Sequence, residues 1–462
     1  MKKKVLALFL TTTLTASMLC GCGDSGSSKE SSAEGQSSDS GNAQNVADSD
    51  STADSGSAGE DSDDIITLTV VDWESDEMNA KMQEAFDNVF SKEHPNIKVE
   101  IVKGSYSDWG QQMRSMIQAG DAPDIFQMGY DGANEMYLQG SVYDWTEKLA
   151  ADQEFASGFY PGTLEGWQYD GRQYGFPSLV NVYGVFYNKD LLDAAGLPYP
   201  ESGWTWDDLW EYGEKLKDPD NGRYGFYNFD SGVFGISLIS VSNGGEPFVP
   251  DMTHTTEVVV DDKFKETAHK MADLIKTGVI PPRTYDAGTA GVQALFEQGE
   301  IALMYYGQWE VDGLIRNYPD LNWGYVATPR GTACAATTYD TTGWVSPKNM
   351  KHPEETWELM KFITGDVYQE TLKVTPVASC ANLSASEAFF DAMRESGHPD
   401  AAEAVQEMLS TEKKTAVRFA GDWRSDASKQ YEAEMNNFLD GKGDDSILDV
   451  LAERVNNIID AY

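Results

Sequence analysis

Apolar and polar residues alternate at 67–72 (Thr-Leu-Thr-Val-Val-Asp), the period of a half-buried strand. Directly afterwards Met78, Met82, Ala85, Phe86, Val89 and Phe90 recur at helical spacing, with Ser75 or Asp76 placed as the cap. Ile97, Val99 and Ile101 return to period two. Trp109, Met113, Met116 and Ile117 mark a second helix, stopped by Gly120, and residues 124–128 read as a third strand. Strands alternating with amphipathic helices imply an α/β fold, with a mostly parallel sheet and helices on both faces.

The pattern resumes after a Gly- and Tyr-rich stretch. Residues 183–187 read as a strand and 189–195 as a short helix closed by Gly196. Thr205-Trp-Asp-Asp208 has the spacing of a capping box and opens a helix to Lys217. Phe264, Ala268, Met271 and Ile275 lie on another helix, 292–298 form a short helix before a strand at 301–305, and Pro353 suits the first helical position ahead of Trp357, Met360 and Ile363. Two amphipathic helices close the chain, the last through Ile447, Leu451, Val455, Ile458 and Ile459. The two α/β stretches point to two similar lobes.

The N-terminus sets the expected compartment. Lys2, Lys3 and Lys4 precede an uncharged, largely apolar run at 5–19, too short for a spanning helix, which ends in Leu19-Cys20-Gly21-Cys22. That ending resembles a bacterial lipobox. Residues 1–21 are therefore expected to be a signal peptide and Cys22 the site of lipid attachment, holding the protein to the outer face of the cell membrane. Residues 23–64 are mostly Ser, Gly, Asp, Glu, Ala and Asn with almost nothing to bury, and are expected to be a disordered tether reaching roughly 35 Å.

Charge and cysteine content narrow the rest. A formal charge of −42 repels nucleic acid and gives no polybasic hold on anionic lipid. Beyond the signal region only Cys334 and Cys380 remain, in a compartment that permits a disulfide, and their pairing is left open. The five histidines have no ligand spacing, so neither a metal site nor a cofactor is expected.

Four segments carry a family resemblance. They are Gly120-Asp-Ala-Pro-Asp-Ile-Phe126; then Tyr174-Gly-Phe-Pro-Ser178 with Tyr187-Asn-Lys-Asp-Leu-Leu192 and Thr205-Trp-Asp-Asp-Leu209; then Phe296-Glu-Gln-Gly-Glu-Ile-Ala-Leu-Met304 with Gly307-Gln-Trp309; and last Gly343-Trp-Val-Ser346 followed by 352–364. In order and spacing they resemble the family-1 extracellular solute-binding proteins, the maltose-binding-protein-like receptors of ABC importers. The resemblance implies a two-lobe periplasmic-binding-protein-like fold of type II, with a hinge crossed three times and a ligand cleft between the lobes. By analogy the crossings fall near 176–182, 326–329 and 363–366. Lobe 1 would hold 65–176 and 328–364, and lobe 2 would hold 177–327 and 365–462. It further implies a monomeric carrier that captures a sugar or oligosaccharide and delivers it to the permease transmembrane subunits, without catalysis.

Sugar rings present polarised C–H faces, which suit aromatic rings, and hydroxyl rims, which suit carboxylates, carboxamides and arginine. Trp206, Trp210 and Trp357 sit on amphipathic helices and Trp145 in a Tyr-Asp-Trp-Thr run, so all four are assigned to the core. Ligand contacts are expected at strand ends and loops: Trp73, Glu74, Tyr130, Asp131, Asn181, Tyr183, Asn243, Trp309, Trp344, Trp423 and Arg424. Among them Trp309 matches the family position that usually carries a stacking aromatic.

Other readings have specific weaknesses. Asp72 and Glu74 could be a glycosidase pair, but acids are too abundant for two residues at a strand end to signify. Asp218-Pro-Asp-Asn-Gly222 is a turn sooner than a calcium loop, because its glycine falls one place early and no Glu follows at position twelve. A surface glycosidase or lyase, a non-sugar solute such as a peptide, polyamine or phosphate ester, and a sensing role remain as alternatives.

Overall fold

A computed structural model describes residues 65–105, 109–228, 232–282 and 291–462. The expected signal peptide, Cys22 and the tether lie outside the described residues. No helix among those described is long and apolar enough to cross a membrane.

The first strands form where the alternation placed them: β1 (Ile66–Asp72), β2 (Ile97–Lys103) and β3 (Ile125–Gly129). Ser75 caps the helix Asp76–Ala85, its side chain accepting from the Met78 amide at 3.1 Å. That helix continues through a π turn, Phe86–Phe90, which leaves Phe86 and Phe90 both buried. The helix Trp109–Ala119 stops at Gly120, whose φ of 80° is left-handed. Further on come β4 (Phe176–Asn188), β5 (Tyr224–Asn228), β6 (Ile301–Gly307), β7 (Trp323–Val326) and β8 (Ala336–Val345). The capping box at Thr205 forms in full, with the Asp208 amide and the Thr205 amide each satisfied by the other's side chain.

One ten-stranded sheet has the order β2-β1-β3-β8-β4-β6-β5, with β7 and the short strand Ser379–Cys380 also pairing β4, and Lys413–Thr415 pairing β8. Its pairings are more mixed than the periodicity implied. β1 pairs β2 and β3 in parallel, and β5 pairs β6 in parallel, but β4 runs antiparallel to β8, β6 and β7. Hydrophobic alternation reports burial of a face and says nothing of strand direction, so the antiparallel centre was invisible to it.

β4 organises the sheet. Expected to begin at 183, it is thirteen residues long and buried throughout. Its first part pairs β8, from Phe176 opposite Trp344 to Val182 opposite Tyr339. From Tyr183 onward it pairs β6 and β7 instead. The exchange of partners divides the sheet into a first half (β1, β2, β3, β8) and a second half (β5, β6, β7) that share one strand. Val182 and Phe186 point into one hydrophobic core, while Tyr183, Val185 and Tyr187 point into another, as alternating side chains must. The second core gathers Trp206, Trp210, Phe226, Phe234, Phe248, Phe264 and Leu451.

Trp145, Trp206, Trp210 and Trp357 are all core residues, as expected. Asp218-Pro-Asp-Asn-Gly222 forms one turn of 3₁₀ helix closed by Gly222 at φ 77°. Cys334 and Cys380 are both free: the Cys380 Sγ lies against the Thr364 carbonyl and the Cys334 Sγ against that of Val241. The segment after Ile363 stays with the first half of the sheet beyond the expected crossing at 363–366, since Thr375 lies 3.4 Å from Met78 on the helix Asp76–Ala85.

Candidate functional site

The sequence-expected residues fall into two neighbouring groups, with three residues outside them. The first group forms where β1 ends. Trp73 stands edge-on to Trp109, ring centroids 5.0 Å apart at 88°, and the Trp109 indole N–H donates to the Gln127 carbonyl at 2.7 Å. Gln127, wholly buried on β3, receives the Trp73 amide on Oε1 and donates from Nε2 to Glu74 at 2.6 Å. Glu74 is thus aimed by a carboxamide one strand away. Burial holds its carboxyl up at about 7, and the negative charges of Asp72 and Asp312 push the same way.

Arginines and acids make the second group. Tyr130 and Asp131 open the helix Tyr130–Leu138 directly after β3. Asp131 pairs with Arg424 and lies 3.7 Å from Arg418 Nη1. Arg418 also reaches Asp340 on β8 at 2.7 Å, and Arg424 reaches Glu135 at 2.7 Å. Asp340 sits opposite Asn181 on β4. Burial raises the Asp340 carboxyl to about 6 against the opposing pull of Arg418. The Tyr130 hydroxyl donates to the Arg418 carbonyl at 3.2 Å, fixing the loop that carries the guanidinium.

Aromatic rings flank this polar cluster. Tyr183 stands edge-on to Trp309, centroids 5.1 Å apart at 88°, and Tyr306 meets Trp309 at 5.7 Å. The Gly307-Gln308-Trp309 run has a physical explanation residue by residue. A Cβ on Gly307 would lie 2.0 Å from the Trp309 ring, so only glycine admits that ring. Gln308 is fully buried and bridges β4, accepting from the Val182 amide at 2.9 Å and donating to the Val180 carbonyl at 2.8 Å. It ties Trp309 to the point where β4 changes partners. Trp309 itself stays half-buried and precedes the helix Glu310–Asn317, which brings Asp312 toward Glu74 and so links the two groups.

The three others lie apart. Trp344 is fully buried beneath the first group, on β8 opposite Gln127. Trp423 is buried against Phe419 at 5.2 Å and serves to anchor the helix that Arg424 begins. Asn243 binds Thr332, through its amide and hydroxyl at 3.0 and 3.1 Å. Its neighbours Gly244 and Gly245 border an open cavity of about 870 Å³, lined also by Glu246, Asp251, Cys334 and Lys414. That cavity has no aromatic lining residue.

Arg418, Asp340, Gln127 and Asp312 were missed by the sequence reading. None occupies a motif: the pairing of β8 with β3 and β4 places Gln127 and Asp340, Asp340 in turn meets Arg418, and the helix after β6 carries Asp312. Among the described residues no cluster of His, Cys, Asp and Glu could hold a metal ion. The arrangement can bind hydroxyls by bidentate and charge-assisted contacts.

A family profile described as bacterial extracellular solute-binding protein matches residues 72–370. The chain is 25% identical over 299 residues to a binding protein of Brucella abortus, covering 62% of this chain and 70% of the relative. It is 24% identical over 333 residues to the galactooligosaccharide-binding protein of Bacillus subtilis, covering 68% and 74%. Among solved structures, the ABC substrate-binding protein of Listeria monocytogenes in complex with cycloalternan superposes with a TM-score of 0.73 at 22% identity, over 86% of this chain and all of that one. The last likeness shows the fold.

Proposed function

We propose, from the premise that this chain belongs to the bacterial extracellular solute-binding protein family, that it captures a sugar or oligosaccharide and delivers it to the permease of an ABC importer. The observation that carries this reading is the alternation of stacking rings and paired charged groups around the β4 partner exchange: Trp309 and Tyr183 beside Asp131, Arg418, Asp340 and Arg424. Rings cover C–H faces while the fixed carboxylates and guanidinia meet hydroxyls.

The lobes are proposed to be residues 65–176 with 328–364 and the helix Tyr368–Val374, closing against the remainder. Arg424 and Asp131, from opposite lobes in this division, are already in contact, which supports the arginine acting at closure. A ligand held from both sides shifts the balance toward the closed arrangement because only that arrangement contacts it fully. The ligand leaves unchanged. Cys22, acylated after removal of residues 1–21, is proposed to hold the protein at the extracytoplasmic membrane face.

A thermal-shift screen of the purified protein against mono- and oligosaccharides, peptides and polyamines tests the reading. A sugar at a hundredfold excess over its Kd adds about 2.7 kcal/mol to native stability, a clear rise in Tm. Recovery of that sugar intact by mass spectrometry is expected. A rise with peptides or polyamines alone, or a cleaved sugar, overturns the proposal.

A further inference from the structure

Two helices that belong to different halves of the sheet meet at Arg316. The helix Glu310–Asn317 follows β6 in the second half, and the helix Asp76–Ala85 follows β1 in the first. Arg316 spans them. One guanidinium nitrogen pairs with Glu77, in the first turn of the helix after β1, and the other with Asp312 on its own helix. The planar fork of arginine lets one side chain serve two carboxylates at once.

Bringing these helices together sets like charges against each other. Burial chiefly raises the Asp312 carboxyl to about 6; Arg316 pulls it down, and Glu77 adds to the rise. Asp312 in turn pushes on Glu74, which the neutral Gln127 holds. The Asp312 side chain is only 6% exposed, so water screens it little. No other ion pair among the described residues engages Asp312 or Glu77, since Lys103 pairs with Asp76 at 2.6 Å. Without Arg316 the same approach would press acids together with no cation between them. Arg316 also lies two helical turns beyond Trp309, so it can act on closure without being one of the groups proposed to meet the sugar.

We propose that Arg316 is an inter-lobe latch and a positioning residue: gripping Glu77 while neutralising Asp312, it holds the lobes closed to a measurable degree before a solute arrives. The inference rests on the two-lobe division proposed above and is independent of which solute is captured. A receptor already partly closed loses less apparent affinity to the closure step, because more of it is competent to bind.

X-ray scattering from the full chain in solution, with no sugar added, tests the latch. The N-terminal residues are the same in every sample, so differences in radius report the lobes. Arg316→Gln, with its Tm recorded to confirm folding, is expected to raise the radius of gyration by roughly 0.5–1 Å, against roughly 21 Å for a compact body of about 400 residues. Glu77→Gln, at a half-exposed position, should raise it too and keeps the test decisive if Arg316→Gln does not fold. The double variant should open no further than Arg316→Gln. Raising salt from about 0.05 M to about 1 M, which shortens the screening length to about 3 Å, should open the wild type more than Arg316→Gln. Equal radii for wild type and both variants, or a lowered Tm with an unchanged radius, overturns the latch. Salt that opens wild type and Arg316→Gln equally assigns closure to other pairs and overturns it as well. Each of these results leaves sugar capture standing, whereas failure of every sugar in the thermal-shift screen removes sugar capture and leaves the latch.

Discussion

The Nε of Arg424 lies 2.7 Å from the Glu135 carboxylate across 289 residues of sequence, while the same guanidinium meets Asp131 one helical turn earlier. Asp131 and Glu135 share one helix face at i and i+4, the spacing at which two side chains can grip one partner. Their side chains are only 5% and 13% exposed, so water screens these contacts little. Arg316 makes a comparable join, between Glu77 near the start of the described chain and Asp312 on its own helix.

Removing Arg424 therefore strands two shielded acids. Arg424→Met is expected to lower unfolding stability by about 1–3 kcal/mol, with Asp131→Asn in the same background restoring part of the loss. A double-mutant cycle by denaturant titration measures the coupling. Strictly additive effects would show that the pair contributes nothing.

Trp309→Ala should weaken binding of whichever sugar the screen identifies by about tenfold or more, equivalent to about 1.4 kcal/mol. The fold should persist, because the buried Gln308 holds this turn to β4 through the Val182 amide and the Val180 carbonyl. Calorimetry that returns the wild-type affinity removes Trp309 from the site.

Stability should fall with rising pH across the neutral approach. Glu74 stands at about 7 against an ordinary 4.5, and Asp72 and Asp340 at about 6 against 3.8, in each case chiefly because burial disfavours the charged form. The folded chain keeps these protons at pH values where the unfolded chain has lost them. Their contribution is thus fully present below the unfolded values and lost as pH rises through the folded ones. Tm measured in steps from about pH 5 to about pH 7.5 should decline, and Glu74→Gln should flatten the upper part of that decline. An unchanged slope in the variant would disprove the assignment.

Gly225→Ala tests the packing of β5 on the helix Trp206–Leu216. A Cβ at Gly225 would lie 2.0 Å from the Gly213 carbonyl oxygen, backbone that cannot rotate away. A loss of about 1–3 kcal/mol is expected, read from the denaturation midpoint, and a neutral result would mean that strand and helix separate easily.

Most elements were legible in the chain because their signals are local. The Thr205 capping box, Gly196 at φ 66° ending its helix, and Pro353 at a helix start each depend on residues a few positions apart. The helix Val233–Ser242 escaped notice because it is buried on every side and so lacks a polar face to set a period. β8 escaped because its Thr-, Tyr- and Asp-rich run does not alternate apolar with polar, although it lies at the centre of the sheet.

The site was half legible for the same reason. Trp73, Asp131 and Trp309 could be picked out because strand ends and motif positions are visible along the chain. Arg418 could not: its worth comes from Asp131 and Asp340, which β3 and β8 place on either side of it. Nor did sequence show that Trp344 is core and Asn243 is bound to Thr332. By itself the sequence determined many of the segments that coil and extend and several of their caps, since neighbouring residues settle those matters through backbone geometry and capping. Only the tertiary structure decided which strands pair with β4 and hence which charges meet. Charges gain or lose their value by desolvation and by partners hundreds of residues away, and neither is a property of the local chain.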